Sequence, residues 1–303
     1  MSGTRAVSVW QLRWRRLRAD RAAWLGAITL LVLLAASYAA PLLENCLGVS
    51  GVTTDLFSRV DPPSAAHWLG ADDAGRDELA RLLRGGQISL SIGLIGALGA
   101  SLLGTMVGAV ARYFRGRTDM VLMRLTDGII ALPTLPLLII LAALDLSKLG
   151  FSQDFIRSGA AGYWRIVAIV TLLSWTGVAR LVRAATLALN EREFVLAARA
   201  QGASSWWILR THILPNAISP VIVATTLAMG RVILAESALS YLGVGIQPPA
   251  TSWGSMLTNA QELISTAPLL ALYPGLLILL TVIAINFLGD GLQAAIDPRS
   301  DPR

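Results

Sequence analysis

The sequence predicts an all-α, polytopic membrane protein with six transmembrane helices. Three observations carry that reading. Only 15% of the 303 residues are charged and 54% are hydrophobic, with a mean hydropathy of +0.62; soluble domains carry about 25% charged residues. The apolar residues gather in long uncharged runs, and a membrane helix needs roughly 20 such residues in a row. Arginine is shared unequally between the segments that join those runs.

Residues 1–22 form a basic tail. Trp10, Leu12, Trp14 and Leu17 are interleaved there with Arg13, Arg15, Arg16 and Arg18, which suits either an interfacial amphipathic helix or a basic pre-membrane anchor. No charge falls between Arg21 and Glu44, which gives the first span, 23–43, too long and too late for a signal peptide. Residues 44–86 form a long acidic loop. It closes with Asp72, Asp73, Asp77 and Glu78, then Leu79, Leu82 and Leu83 at helical spacing with Arg81 and Arg84, then Gly85 and Gly86. Acids first and bases last complement a helix dipole, and the glycine pair reads as a stop, so a short amphipathic helix is expected ahead of the second span. The spacing of Asp72, Asp73 and Asp77 does not fit an EF-hand loop.

Residues 87–291 hold five further spans. The second, about 87–111, carries Gly96 and Gly99, then Gly104 and Gly108, which permit close approach of another helix. The third, about 121–144, begins with Arg124 and Asp127 and contains Pro133 and Pro136, which predict a kink. The fourth covers about 164–184. The fifth, about 216–241, contains Arg231 and Glu236; charges are costly in lipid, so these should face a pathway, a partner subunit or each other. The sixth, about 268–289, contains Asn286, a further candidate pathway or interhelix group. Residues 292–303 form the second tail.

Six spans put both termini on one side. That side carries 17 of the Arg and Lys residues and the other seven, with Arg231 inside a span, which predicts cytoplasmic termini and an extracytoplasmic 44–86 loop. The net charge of +6 is therefore read as topology and not as a nucleic-acid surface. Cys46 is the sole cysteine, and His67 and His212 are the only histidines, so neither an intrachain disulfide nor a metal or haem site is expected. No phosphate-binding loop of the form Gly, four residues, Gly, Lys, Ser or Thr is present. No catalytic residues are assigned, and the chain is expected to be neither an enzyme nor a holder of a cofactor.

The most informative segment is the cytoplasmic loop, 185–215. Glu191 to Ala200 favours helix, Gly202 follows as a stop, Ser204 can cap a second short helix, and Pro215 opens the fifth span. Two short helices meeting at Gly202 offer a knob to a soluble partner.

This loop resembles the EAA loop of ABC importer permeases, whose pattern is Glu-Ala-Ala, three residues, Gly, then a stretch ending Ile-x-Leu-Pro. Ala197, Ala198, Gly202, Leu214 and Pro215 match in register; Leu196 stands where Glu is usual and His212 where Ile is usual, with Glu193 one turn earlier. Further stretches resemble the dipeptide/oligopeptide permease family, specifically its second permease subunit. They are His67 to Gly70 with Gly75-Arg76-Asp77, Arg124 to Asp127 with Pro133, Ala235 to Gly245 with Gln247-Pro248-Pro249 and Ser252-Trp253-Gly254, and Asn286 to Leu292 with Asp297-Pro298-Arg299.

The resemblance implies the type I ABC importer permease fold in a bacterial inner (cytoplasmic) membrane. It implies a heterodimer with a homologous permease, an extracytoplasmic substrate-binding protein, and two ATP-binding subunits that use ATP and magnesium. In that scheme the coupling residues are Glu193, Leu196, Ala197, Ala198, Gly202, Ala203, Leu214 and Pro215. Peptides are the first cargo it implies; glutathione, a nickel chelate or haem would need the same architecture. An ATPase-independent secondary transporter is a more remote alternative, and no convincing internal repeat favours it.

Overall fold

The computed structural model describes residues 9–114, 116–157 and 159–296, and among these it contains helices and no strand. A short helix, α1 (Val9–Ala19), occupies the basic tail, with the Arg18 guanidinium 5.1 Å above the Trp14 ring. Asp20 then ends one helix and starts the next: its carboxylate accepts from the Ala22 and Ala23 amides at 2.9 and 3.1 Å, capping α2 (Arg21–Tyr38). The run expected over 23–43 is interrupted at Ala39, where α3 (Ala40–Leu47) begins, opened by Pro41 and closed by Gly48 at φ +66°.

The spine of the molecule is α4 (Glu78–Phe114), a single 37-residue helix. It starts where the acidic cluster predicted a helix, with Asp77 accepting from the Ala80 amide at 2.8 Å, but it does not stop at the glycine pair. Gly85 and Gly86 lie inside it because other chain segments press against them: a Cβ on Gly86 would sit 2.2 Å from Ser37 Oγ and 2.9 Å from the Trp253 ring. These glycines serve close approach, not termination.

The third run is broken rather than kinked. Helix α5 (Gly116–Ala131) and α6 (Thr134–Ala142) meet at Pro133 with a bend of 90°. Beyond a short turn, α7 (Gln153–Arg157), comes α8 (Gly159–Asn190), which packs along α4. The spacing of that pair is set by glycine: Cβ atoms on Gly104 and Gly108 would lie 2.5 Å from the carbonyls of Trp175 and Ala179. After the elbow described below, α11 (Leu214–Tyr241) crosses against α4 and α8, α12 (Trp253–Glu262) lies across the end of the bundle, and α13 (Leu269–Ile296) packs on α2 and α11. Helix α13 continues through 292–296, which were expected in the tail; residues 1–8 and 297–303 lie outside those described.

Five helices are long and apolar enough to cross a membrane, and α5 with α6 makes a sixth if the bent pair is one span. Their outer faces stay apolar where water would oppose it. Leu31 and Val32 of α2 and Leu272, Leu276 and Leu279 of α13 are all exposed, as a lipid-facing surface requires.

An exposed elbow and a buried polar hub

The elbow is built from local rules. Glu193 lies in the first turn of α9 (Glu193–Ala200), where a carboxylate complements the dipole. At its other end the Gly202 amide donates to the Arg199 carbonyl and the Ala203 amide to that of Ala198, both at 3.0 Å. That pair of bonds is a Schellman stop, and it needs the φ of +82° that Gly202 adopts. Ser204 accepts from the Trp207 amide at 3.3 Å and opens α10 (Ser205–Ile208). The chain does not pause there. A π-turn, Leu209–Ile213, carries it directly into α11. Pro215 has no amide hydrogen to return to the preceding turn, and the Asn216 side chain instead donates to the His212 carbonyl at 2.6 Å.

One face of the elbow is bolted to the bundle. Val195, Ala198, Ile208, Leu209 and Ile213 are buried against Ala109 of α4 and Val178 and Val182 of α8. The other face is open: Glu193, Leu196, Ala197, Gly202 and Pro215 are exposed. The residues expected for coupling are thus brought together, but they divide. Ala198 packs inward, where the sequence pattern placed it beside Ala197 on a contact surface, and Leu214 is half-buried between helices. Ala203 is half-buried at the stop.

Sequence reasoning missed the rings on the open face. The His212 ring lies 5.6 Å from that of Phe194 and 5.0 Å from that of Trp207, the latter edge-on at 78°. The available signal was His212 itself, standing where an aliphatic residue is usual.

The polar candidates within the spans separate in the same way. Glu236 is fully buried and accepts from Ser240 Oγ at 2.7 Å and from Ser89 Oγ at 3.2 Å. The Trp253 amide donates to Ser89 Oγ at 3.2 Å, and the Trp253 indole to the Leu82 carbonyl at 2.8 Å. This hub ties α4, α11 and the start of α12 together. Arg231 does not pair with Glu236; it is exposed on α11 and forms no ion pair among the described residues. Asn286 is exposed on α13.

Charges near the hub are also internally paired. Asp72 accepts from Arg76 Nε at 2.7 Å, from the Arg76 amide at 2.8 Å and from Arg81. Burial pushes the Asp72 carboxyl up, but Arg81 and Arg76 outweigh it and hold the group below its ordinary value of 3.8. His67 Nδ1 lies 3.0 Å from Asp77, and Arg84 forks onto Glu44. Along α5, Arg183 forks onto Asp119 at 2.6 and 2.7 Å, and Arg180 meets Asp127. Arg124 is exposed.

The fold defines a multi-pass helical membrane protein with a structured elbow between two of its spans. Comparison with known proteins makes the class specific. Residues 100–302 match the model of the binding-protein-dependent transport system inner membrane component, and residues 8–45 match that of the N-terminal TM domain of oligopeptide transport permease C. The chain belongs to this family of binding-protein-dependent transport permeases. It is 36% identical to the dipeptide transport system permease protein DppC of Alkalihalophilus pseudofirmus, over 97% of this chain and 91% of that one. It is 37% identical to the glutathione transport system permease protein GsiD of Pectobacterium atrosepticum, over 96% and 91%. It is 33% identical to the oligopeptide transport system permease protein OppC of Bacillus subtilis, over 97% and 91%. The fold is similar to that of a chain in inward-facing forms of the MetNI methionine ABC transporter, with a TM-score of 0.56 at 20% identity, covering 71% of this chain and 95% of that chain.

Proposed function

We propose that this chain is one of two permease subunits of an ATP-driven importer of di- and oligopeptides in a bacterial inner membrane. Both termini and the elbow face the cytoplasm, and residues 44–86 face outward. A homologous permease completes the pathway, an extracytoplasmic binding protein delivers cargo, and two ATP-binding subunits act from the cytoplasm. Those subunits use ATP and magnesium; this chain binds no cofactor and catalyses no reaction. The observation that carries the reading is the elbow, where a Schellman stop at Gly202 presents Ala197 on an open face while the opposite face is anchored in α4 and α8. Force applied to that face passes into α11 through an unbroken helical turn.

Gly202→Asp tests it. Peptide uptake in proteoliposomes carrying all subunits should be lost, while the variant still co-purifies with the second permease; normal uptake would sink the assignment. The likeness to a glutathione permease favours one alternative cargo on the same architecture. Calorimetric titration of the cognate binding protein with dipeptides and with glutathione separates the two.

A further inference from the structure

We propose that the cavity between the elbow and the bundle binds a phosphate group, carried by an anionic lipid or free in solution. Four helices meet around it. Arg112 comes from the last turn of α4, Thr186 and Asn190 from α8, Arg199 from the last turn of α9 and Ser205 from the start of α10. The space they enclose is about 270 Å³, room for far more than a single water molecule. None of the residues proposed for coupling lines it, so the site does not depend on that role.

Its polar groups are donors in want of an acceptor. Thr186 is 1% exposed, and its hydroxyl has no hydrogen-bond partner among the described residues. A helical threonine can satisfy itself by donating to the carbonyl four residues back, as Thr126, Thr225 and Thr281 do at 2.8, 2.7 and 2.7 Å. Thr186 does not. Arg112 Nε is likewise buried without a partner, and a guanidinium can only donate. Neither Arg112 nor Arg199 forms an ion pair among the described residues, and no Asp or Glu lines the cavity. Asp119 lies within electrostatic reach of Arg112, but both its oxygens are already taken by Arg183.

Two guanidiniums without a counter-ion, beside a buried free hydroxyl, require an occupant that is negative and accepts several hydrogen bonds. A phosphate group is both, and guanidinium forks match its oxygens. Ile208 and Ile213 give the cavity an apolar wall suited to the carbons of a lipid, and basic pockets between membrane helices are a known setting for acidic headgroups. A phosphate held there links the elbow helices α9 and α10 to α4 and α8 through its oxygens.

The test uses the full-length chain in neutral detergent, titrated at fixed ionic strength with phosphatidylglycerol, phosphatidylcholine or sodium phosphate, and reads affinity from the shift in Tm. A saturable rise with phosphatidylglycerol alone assigns the site to a lipid headgroup; a rise with sodium phosphate assigns it to the free ion. Arg112→Gln with Arg199→Gln should weaken that binding about 100-fold or more, and Thr186→Val about 10-fold. Thr186→Val should leave the Tm without ligand unchanged or higher, because the hydroxyl it removes is buried and unpaired. Arg210→Gln, an exposed arginine outside the cavity, should bind as wild type. No saturable rise with either phosphate source, an equal rise with phosphatidylcholine, or undiminished binding by Thr186→Val and the double variant overturns the site. Equal weakening by Arg210→Gln overturns it too, since general surface charge would then account for the effect.

Discussion

The two ends of the bundle are held by different physics. At the loop end, Glu44, Asp72, Asp77, Glu78, Arg81 and Glu236 are all buried, and the chain's own serines, arginines and amides satisfy most of them. At the elbow end the buried groups are mostly alanine, valine, leucine and isoleucine, with Thr186 and Asn190 beside them, and the rings are left largely on the outside. Buried polar networks fix geometry, because a partner moved aside leaves a desolvated group behind. Apolar packing tolerates small sliding. The loop end is thus largely paired within one chain, with Glu78 Oε2 and Arg81 Nε the buried atoms left without a partner among these charged groups, whereas the elbow keeps contact surface free.

Mutations should expose that contrast in order of size. Asp72→Asn leaves Arg81 buried without its counter-charge and should cost about 3–5 kcal/mol, read as a lowered Tm of the purified protein. The sign in acid follows from the depressed Asp72 carboxyl. Its contribution is complete above the ordinary value of 3.8 and is lost as pH falls through the lower folded value. The Asp72 contribution should therefore hold down to about pH 5 and fall away in stronger acid, and Asp72→Asn should flatten part of the wild-type loss of Tm in that acid range. An acid response identical in both proteins would remove Asp72 from the account.

Glu236→Ala strands the hydroxyls of Ser89 and Ser240 and should cost about 3 kcal/mol, with Glu236→Gln retaining more than half of that. Equal Tm for Ala and Gln would mean that the hydrogen bonds contribute nothing. Between the ends, Gly104→Ala forces a Cβ to within 2.7 Å of Val178 Cβ and should cost about 1–3 kcal/mol by separating α4 from α8. At the elbow, Gly202→Ala meets no neighbour and carries only the cost of a left-handed backbone, about 1 kcal/mol. A Tm loss at Gly202 larger than at Gly104 would reverse the contrast.

The spans were legible because each is a long, mostly apolar run with few charges, and lipid admits little else. The elbow was legible because Gly202, Ser204 and Pro215 act through the backbone within a few residues. What escaped depends on contacts distant in sequence. Gly85 and Gly86 look like a stop until Ser37 and Trp253 are seen against them. Glu236 looks like a pathway charge until Ser89, 147 residues away, reaches it. Pro133 announces a missing amide but not a 90° turn. The ring cluster depends on the register of a π-turn, which places His212 between residues of two different helices.

The π-turn has a mechanical corollary. From Ser205 to Tyr241 the chain is one helical run of 37 residues, roughly 55 Å at 1.5 Å per residue. Its near end forms the elbow, and Glu236 bolts its far end to α4 and α12. No loop lies between them to act as a spring. A twist applied at Trp207 is therefore either taken up where the π-turn, Pro215 and Pro220 interrupt the regular hydrogen-bond ladder or delivered to the serine-lined carboxyl at the far end. The run has the form of a torsion rod with its soft collars gathered near the elbow.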